Sequence, residues 1–473
     1  MTRSPGSLSD PPTDTPAAPR SFRAQAAVLG VVCLVAYLSN ARHVGQIDGR
    51  ATPRMALSLL REGDLDLDEF PDYCRDGLTA RPKYVVQVGE HTFSKWSPGA
   101  AVCYAPFFAI PAWTGMQPMI PDDRDPSRLK ANKQMLWVAK IAAAAMTALT
   151  AVVVLAALRR ICRPRPALLL TLLYAFGTTA WPINAQDTWQ HGPGALMVAL
   201  GLLGILRCER RADRFGAAVG AALALGVAVA VRPTNGALAV PLGVLLLARS
   251  RPRFWPAAIA AGLLPVLALL LYNQWTFGVA LGGGYAAAYE GSPWTTPIHL
   301  GAAGLLVSPS RGLLIFTPAM LLVPYGAWRG LCEAGRRLPA AMLALGCAMH
   351  LALMSLWSGW FGGWSYGPRF LAEAMPAAVA LLAFGADRIW ERIGWRTVLI
   401  VLVVVSVLIA SLGCYIGVDD WHKRQEDVRR QPLGQAVWEW DECLILYQVQ
   451  KLLGLADLPE DAATRSAGAR AGS

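Results

Sequence analysis

The feature that most limits how this chain can fold is a series of apolar runs separated by polar gaps. A helix needs about 20 apolar residues to cross a bilayer, and inside lipid its backbone polar groups must be paired internally. Only 16% of the 473 residues are charged, against about 25% in soluble domains. The sequence therefore predicts an all-α polytopic membrane protein with about 11 transmembrane helices, over residues 24–40, 134–158, 167–183, 194–206, 215–231, 236–248, 256–275, 312–328, 339–357, 370–386 and 397–416.

The arginines between the runs predict which gaps face the cytoplasm. Every second gap holds a group of them, and the gaps in between hold few cations. Because cytoplasmic loops collect Lys and Arg, we expect a cytoplasmic N-terminus and an extracytoplasmic C-terminus. The net charge of +11 comes from these short groups and does not form a nucleic-acid-binding face. The arginine-rich gaps contain Arg159, Arg160, Arg163 and Arg165; Arg207, Arg210, Arg211 and Arg214; Arg249, Arg251 and Arg253; Arg329, Arg336 and Arg337; and Arg388, Arg392 and Arg396.

The remaining segments divide the chain into three parts. Residues 1–22, rich in Pro, Ser and Thr, are expected to be a disordered cytoplasmic tail. Residues 23–416 form the transmembrane domain, in which 41–133 is a long first extracytoplasmic segment with membrane-surface helices. Its apolar stretch 98–116 is expected to lie on or re-enter the membrane, because counting it as a span would reverse every later gap. Residues 417–473 form an extracytoplasmic tail, whose helical spacing of apolar residues near 437–454 predicts an interfacial helix.

Single cations stand at the ends of apolar runs on the predicted outer face, where the charge rule disfavours them. They are Lys95 in "FSKWSPG", Arg232 in "VRPTNG", Arg311 in "SPSRGLL" and Arg369 in "GGWSYGPRF". A single one is explained by snorkelling, but four on the cation-poor side need another reason. Guanidinium and ammonium groups bind phosphate, so we expect these four to hold a phosphate or diphosphate at the membrane surface.

Acidic and aromatic residues on the same face supply candidates for the rest of a site. Asp48 in "QIDGR", just after the first span, is the best-placed general base for an incoming hydroxyl. No metal site is predicted, because the acidic turn "GDLDLDEF" lacks the glycine and bidentate Glu of an EF-hand, although a divalent cation stays open. An interfacial belt is the alternative reading of the aromatic residues. The candidate substrate contacts are Asp187 and His191 in "QDTWQHGPG", Glu290 in "GGGYAAAYEG", Trp364 and Tyr366.

These features resemble the GT-C membrane glycosyltransferases, especially the protein O-mannosyltransferase and aminoarabinose transferase group. An acidic residue follows the first span, matched by Asp48. A long outer segment leads to a Lys- and Pro-containing aromatic stretch, matched by "SKWSPGAAVCYAPFF" with Lys95, and a basic motif closes a later outward span, matched by "VAVRPTNG" with Arg232. The chain departs from the family at Gly49, where Glu is frequent, and at "KWSP", where Lys-Pro-Pro is frequent.

The resemblance implies a GT-C-like bundle in the bacterial inner (plasma) membrane, with 23–416 as the catalytic domain. It implies inverting transfer of a sugar from a polyprenyl-phosphate carrier to a glycan, lipid or protein hydroxyl on the extracytoplasmic face. Asp48 would be the base. The leaving phosphate would be stabilised by Lys95, Arg232, Arg311 and Arg369, so that no cofactor is required. The expected partners are the lipid-linked donor, this acceptor and membrane lipids, with no nucleic acid.

Two other functions stay open at this stage. A transporter or flippase of a lipid-linked sugar should carry charges near mid-span and inverted repeats. A non-catalytic envelope assembly protein would leave the outer acidic and basic residues unexplained. The chain contains no Walker loop, GxSxG or HExxH motif, and no predicted cytoplasmic part is large enough to bind a nucleotide. A nucleotide-sugar donor is therefore not favoured.

Overall fold

Long apolar helices dominate the computed structural model, which describes residues 19–42, 47–70, 84–122, 129–210, 214–289 and 291–455. Within these ranges, six helices are long and apolar enough to cross a membrane. The chain is therefore a helical multi-pass membrane protein, whereas the count of about 11 spans remains a prediction. The six are Lys133–Leu158, His191–Cys208, Pro252–Phe277, Arg337–Leu356, Arg369–Glu391 and Ile393–Tyr415, and shorter apolar helices cover Phe22–Leu38, Gly99–Trp113, Phe215–Val231 and Ile298–Val307.

Helices follow one another along the described chain with two short hairpins in the first polar segment. The strands Val85–Val88 and His91–Ser94 pair antiparallel, as do Met119–Pro121 and Leu129–Ala131. The α-helices are Pro19–Leu38, Ile47–Arg61, Gly99–Trp113, Lys133–Leu158, Pro164–Gly177, His191–Arg210, Phe215–Val231, Gly236–Arg249, Trp255–Phe277, Gly283–Ala288, Ile298–Val307, Leu313–Phe316, Val323–Cys332, Arg337–Leu356, Met375–Glu391, Ile393–Tyr415, Asp419–Lys423, Leu433–Ala436 and Leu444–Leu452. Single 3₁₀ or π turns cover Ala180–Asn184, Pro233–Asn235, Pro252–Phe254, Pro318–Leu322, Arg369–Ala374 and Arg424–Val428.

Small residues allow neighbouring helices to pack closely. A Cβ atom added to Gly226 would lie 2.1 Å from the carbonyl oxygen of Gly262, so the helices Phe215–Val231 and Trp255–Phe277 touch backbone to backbone. In lipid, helix association depends on such packing, because apolar side chains gain little by leaving apolar solvent. The Ala and Gly residues of these helices thus allow the two backbones to come into contact.

The run 312–328, predicted as one continuous span, is interrupted in the structure. Leu313–Phe316 is followed by the 3₁₀ turn Pro318–Leu322 and then by Val323–Cys332. Thr317 leaves the helical region (φ −135°, ψ 73°), and Pro318 has no N–H to continue the hydrogen-bond ladder. The apolar run therefore forms a broken helix.

The first polar segment contributes two helices that pack on each other, Ile47–Arg61 and Gly99–Trp113. The second has 15 residues, fewer than the ~20 needed to cross a bilayer. Its start is attached to the end of a longer helix, because the Ser97 hydroxyl donates to the Ala230 carbonyl. This attachment brings the "SKWSP" stretch next to the "VRPTNG" motif.

The segment after the last long helix folds back onto the loop around residue 310. Ser308 Oγ donates to the Val437 carbonyl (3.0 Å), and Leu444 N donates to Ser310 Oγ (3.0 Å). The helix predicted near 437–454 covers only Leu444–Leu452. The preceding residues form turns, since the Val437 carbonyl bonds the 308–310 loop and does not continue a helix.

Candidate active site

Asp48 and Arg369 meet in a direct ion pair. Asp48 lies in the first turn of Ile47–Arg61, and Arg369 opens the turn that leads into the helix Met375–Glu391. Arg369 Nη1 lies 2.8 Å from Asp48 Oδ2, and the Asp48 side chain is 30% exposed. The guanidinium also covers the rings of Trp189 (4.9 Å) and Phe370 (5.0 Å). Arg369 is thereby fixed in orientation while Asp48 stays accessible.

Arg232 is held by a carboxylate that the sequence analysis did not identify. Glu373 is fully buried, and its Oε1 lies 2.9 Å from Arg232 Nη1 and 3.0 Å from His191 Nδ1. The Arg232 guanidinium also lies over the Phe370 ring at 5.1 Å. Glu373 was missed because it falls inside the apolar run 370–386. The sequence did contain one indication of its role, a single acidic residue within an apolar run, because charged groups at membrane depth mark functional sites.

His191, predicted to contact substrate, lies beside these cations. It begins the helix His191–Arg210, is 6% exposed and faces Trp189 (5.9 Å) and Phe370 (6.3 Å). The structure thus brings His191 into the cluster through its bond to Glu373.

Lys95 occupies an aromatic cage. Its Nζ lies 4.8 to 5.5 Å from the centroids of four rings and 3.4 Å from the Tyr289 hydroxyl. Aromatic faces attract an ammonium group by their quadrupole, which compensates for its burial. Burial raises the pKa of Tyr289, and the charge of Asp48 raises it further, so this hydroxyl stays protonated. The four rings belong to Tyr84, Trp96, Tyr285 and Tyr289.

Two cavities meet at Arg232 and Tyr285, which line both. The smaller, of about 30 Å³, is lined by Asp48, Trp96, Trp189, Gln190, His191, Arg232, Tyr285 and Arg369. The larger has a volume of about 440 Å³, within the size range of small-molecule sites. Its lining includes four aromatic side chains, Tyr285, Tyr289, Trp294 and Trp357, and Trp357 meets Tyr285 and Tyr289 edge to face. A cationic end and an aromatic wall suit a ligand with a phosphate and an apolar or sugar part.

Asp187 packs against the backbone next to Asp48. A Cβ atom on Gly49 would lie 2.3 Å from Asp187 Oδ2, so the missing side chain makes room for this carboxylate. Thr188 N donates to Asp187 Oδ1 (2.7 Å), and Thr188 Oγ1 donates to the Gly49 carbonyl (3.3 Å). The loop carrying Asp187 is therefore fitted to the turn carrying Asp48.

Arg311 differs from the sequence expectation of a phosphate contact. It is fully buried, and its guanidinium donates to the carbonyls of Phe361 (2.7 Å) and Gly363 (3.1 Å). Its Nη2 also lies 2.9 Å from His422 Nε2. Through these bonds Arg311 holds the loop 358–368, which ends next to Arg369. The Arg311 guanidinium therefore points away from the two cavities.

Trp364 and Tyr366 also belong to the packing of this loop. Trp364 stacks on His422 at 5.2 Å and donates to Glu426 (2.8 Å). Tyr366 is 3% exposed and donates to the Ile409 carbonyl (2.5 Å). The structure therefore places both among protein groups outside the two cavities, whereas substrate contact was expected. Glu290 lies outside the described residues.

The architecture is similar to that of a solved membrane transferase. The crystal structure of ArnT from Cupriavidus metallidurans bound to undecaprenyl phosphate matches with a TM-score of 0.53 at 12% identity, over 85% of this chain and 77% of that one. This chain has the fold of the GT-C membrane glycosyltransferases. The sequence analysis predicted a GT-C fold, and this structural similarity confirms the prediction.

More distant likenesses add nothing to this similarity in fold. The apo oligosaccharyltransferase of Archaeoglobus fulgidus has a TM-score of 0.44 at 12% identity, over 88% of this chain and 58% of that one, too low to support an argument. No family model matches the sequence. No curated protein matches it either.

Proposed function

We propose that this protein transfers a sugar from a polyprenyl-phosphate carrier to an acceptor hydroxyl on the extracytoplasmic face, with inversion at the anomeric carbon. The observation that carries the proposal is the Asp48–Arg369 pair (2.8 Å) in a cavity also lined by Arg232. These residues are far apart in sequence, and packing alone gives no reason for such charged side chains to cluster at one end of a helix bundle. The fold shared with ArnT, which was crystallised with undecaprenyl phosphate, supports the same donor class.

The donor phosphate is expected to lie between Arg369, Arg232 and Lys95. The carrier or sugar would then occupy the aromatic cavity of about 440 Å³ that begins at Arg232. Cations fixed in advance stabilise the charge that develops on a leaving phosphate without reorganising during the reaction. Glu373 and Arg311 are positioning residues in this scheme, since one holds Arg232 and the other holds the loop before Arg369.

Asp48 serves as the base. Once phosphate takes its place beside Arg369, the Asp48 carboxylate accepts the hydroxyl proton of the acceptor. The acceptor oxygen forms a bond to the anomeric carbon from the face opposite the phosphate. The bond from that carbon to the phosphate oxygen breaks, and its electron pair leaves with the polyprenyl phosphate. General-base catalysis of this kind contributes about 10² to 10⁴ in rate.

The proposed placement follows the positive-inside rule. Residues 1–22 lie in the cytoplasm, 23–416 form the catalytic domain with about 11 spans in the bacterial inner membrane, and 417–473 lie outside. Reporter fusions at Arg210 and Ser365 should report opposite sides of the membrane. Signals from the same side would contradict this orientation.

The decisive test is transfer by the purified protein in nanodiscs. Radiolabelled polyprenyl-phosphate sugars are supplied as donors, with a bacterial envelope extract as the acceptor source. Asp48→Asn should lower transfer by about 10² to 10⁴ while still binding undecaprenyl phosphate, and Arg369→Gln should weaken that binding. Arg388→Gln is the matched control, because Arg388 is 65% exposed and pairs with nearby Glu391 (3.5 Å). Undiminished transfer by Asp48→Asn would remove Asp48 as the base. No binding of undecaprenyl phosphate by the unaltered protein would overturn the donor class.

A further inference from the structure

One ring nitrogen of His191 has no role in the reaction described above. His191 Nδ1 lies 3.0 Å from Oε1 of Glu373, which is fully buried. The imidazole also lines the smaller cavity, and 7% of the His191 side chain stays exposed. Within the described residues, Nε2 bonds no protein group, so it is the polar atom that His191 can offer to a ligand.

We propose that His191 Nε2 accepts a hydrogen bond from the C2 hydroxyl of the donor sugar, the hydroxyl on the carbon next to the anomeric centre. The inference rests on the proposed function, because it assumes that a polyprenyl-phosphate sugar is the donor. It adds a chemical class for that sugar, one with a free hydroxyl at C2, which neither the fold nor the phosphate contacts specify.

The Glu373 carboxylate determines which nitrogen of His191 carries the proton. Arg232 Nη1 lies 2.9 Å from the same Oε1 and keeps the carboxylate ionised, and an ionised carboxylate only accepts hydrogen bonds. Nδ1 must therefore donate to it. A positively charged ring is disfavoured, because Arg232 Nη1 lies 3.4 Å from Nδ1 and like charges repel. A neutral imidazole with its proton on Nδ1 has a lone pair on Nε2.

The chemistry of the smaller cavity favours a hydroxyl as the partner of this lone pair. Phosphate oxygens accept hydrogen bonds and suit the guanidinium groups of Arg232 and Arg369, whereas the lone pair on Nε2 repels them. A sugar hydroxyl that leaves water needs an acceptor for its proton, and Nε2 supplies one in the cavity that these cations line. The arginines would thus contact the phosphate and His191 the sugar.

The position of His191 beside Arg232 selects the C2 hydroxyl. Both residues line the smaller cavity, so a phosphate bound to Arg232 brings the sugar carbons nearest to it next to His191. In a hexose joined to phosphate at C1, the hydroxyl nearest the phosphate is the one on C2. Hydrogen bonds to this hydroxyl strengthen in the transition state of glycoside cleavage, so the contact would assist transfer as well as recognition.

The imidazole is held in one orientation by its surroundings. Gly194 lies one helical turn after His191, and a Cβ atom there would lie 2.9 Å from Glu373 Cγ, so the glycine makes room for the carboxylate. The rings of Trp189 and Phe370 lie 5.9 and 6.3 Å from the imidazole. A group fixed before binding loses little freedom when the ligand arrives, which suits the recognition of a single hydroxyl.

Nitrogen NMR of the full-length protein in phosphatidylcholine nanodiscs tests the tautomer. The six histidines are labelled with ¹⁵N and assigned by replacing each one in turn, so that His191 can also be assigned by elimination. We expect its Nδ1 to carry a proton and its Nε2 to carry none at neutral pH without ligand. A proton on Nε2 would overturn the inference.

Binding of matched donors to the same nanodiscs tests the hydroxyl. The probes are undecaprenyl phosphate carrying glucose, mannose or 2-deoxyglucose, which is the 2-deoxy analogue of both. We expect the better 2-hydroxy donor to bind about tenfold more tightly than the deoxy donor. Tenfold corresponds to about 1.4 kcal/mol, within the range for a buried acceptor left unpaired. Equal affinity for the three donors would overturn the hydroxyl contact.

The NMR signal of Nε2 identifies the part of the donor that His191 contacts. The better 2-hydroxy donor should shift this signal, and undecaprenyl phosphate alone should leave it in place. An equal shift with undecaprenyl phosphate would assign the contact to the phosphate and overturn the inference. A signal that neither 2-hydroxy donor moves would overturn it as well.

A variant then connects the preference to this side chain. His191→Asn should remove the preference for the 2-hydroxy donor while undecaprenyl phosphate still binds, because Arg232 has its own bond to Glu373. His299→Asn is the matched control, since His299 is exposed in the first turn of Ile298–Val307. A preference that survived in His191→Asn would assign the hydroxyl to another group and contradict the inference.

These measurements also separate this inference from the proposed function. No binding of undecaprenyl phosphate by the unaltered protein would remove the donor class, and the proposed function with it. Normal binding of undecaprenyl phosphate together with equal affinity for the three sugar donors would overturn this inference alone. A loss of undecaprenyl phosphate affinity in His191→Asn as large as in Arg369→Gln would show that His191 acts through Arg232 and not on the sugar.

Discussion

Replacing Gly49 by Ala should lower transfer without replacing any charged residue. The added Cβ would lie 2.3 Å from Asp187 Oδ2 and 2.6 Å from Asp187 Cγ. Carbon and oxygen atoms in ordinary contact are about 3.5 Å apart, so the carboxylate must move by about 1 Å. The move strains the bond that Asp187 accepts from Thr188 N.

The expected loss follows from this displacement. A misplacement of 1 Å in a catalytic site can lower the rate about 10²-fold, and overpacking costs about 1 to 3 kcal/mol of stability. We expect Gly49→Ala to lower transfer about 100-fold, with the apparent affinity for undecaprenyl phosphate unchanged, because Arg232 and Arg369, the proposed donor contacts, line a different cavity from Gly49.

The assay combines transfer from a polyprenyl-phosphate sugar with thermal unfolding of the same nanodisc sample. Gly220→Ala serves as the control, since a Cβ at that helix position meets no atom within 4 Å. Asp187→Ala and the double variant complete a cycle. Once the carboxylate is gone, Gly49→Ala should have no further effect, which gives a large coupling between the two sites.

Two results would refute the reasoning. Transfer by Gly49→Ala equal to that of the unaltered protein would show that the turn tolerates the added atom. A loss of the same size with and without the Asp187 carboxylate would show that Gly49 acts through its backbone and not through this contact.

Three further predictions concern groups around the site. Glu373→Gln should lower the free energy of unfolding by about 3 kcal/mol, because it leaves Arg232 in a buried position without its counter-charge; an unchanged melting temperature would contradict this. Arg311→Gln should reduce transfer and expose the loop 358–368 to hydrogen exchange, and unaltered exchange would argue against its positioning role. Burial and the Arg311 charge lower the pKa of His422 from 6.5 to about 3. The neutral His422 side chain therefore gives its full contribution to folded-state stability above pH 6.5. That contribution is lost as the pH falls, and the free energy of unfolding decreases by about 2 kcal/mol between pH 7 and pH 5. His422→Gln should flatten that dependence in unfolding measurements.

Much of the architecture follows from the sequence, because an apolar run as long as the bilayer is thick indicates a membrane-spanning helix. The convergence of Asp48, Arg232 and Arg369 was foreseeable too, since each stands at the end of an apolar run on the side that the sequence predicts to be extracytoplasmic. The interruption at Thr317 and Pro318 was not anticipated, because hydropathy averages over a break of one or two residues.

The contacts that the sequence did not reveal join residues that lie far apart in the chain. Arg311 resembles Arg369 in the sequence, but residues 361, 363 and 422 provide its acceptors, and no local pattern predicts them. Glu373 was missed for a different reason, since the residues around it in the sequence are those of a lipid-facing helix.

The packing of residues 421–448 on the 308–311 loop has a consequence for biogenesis. Arg311 Nη2 lies 2.9 Å from His422 Nε2, Leu444 N donates to Ser310 Oγ, and Gln448 Nε2 donates to the Gly417 carbonyl (2.5 Å). When the ribosome has produced all the long helices, the loop before Arg369 still lacks these partners. The loop 358–368 can therefore reach its final packing only after translation has passed residue 448, and a stop codon near residue 417 should leave that loop without these contacts.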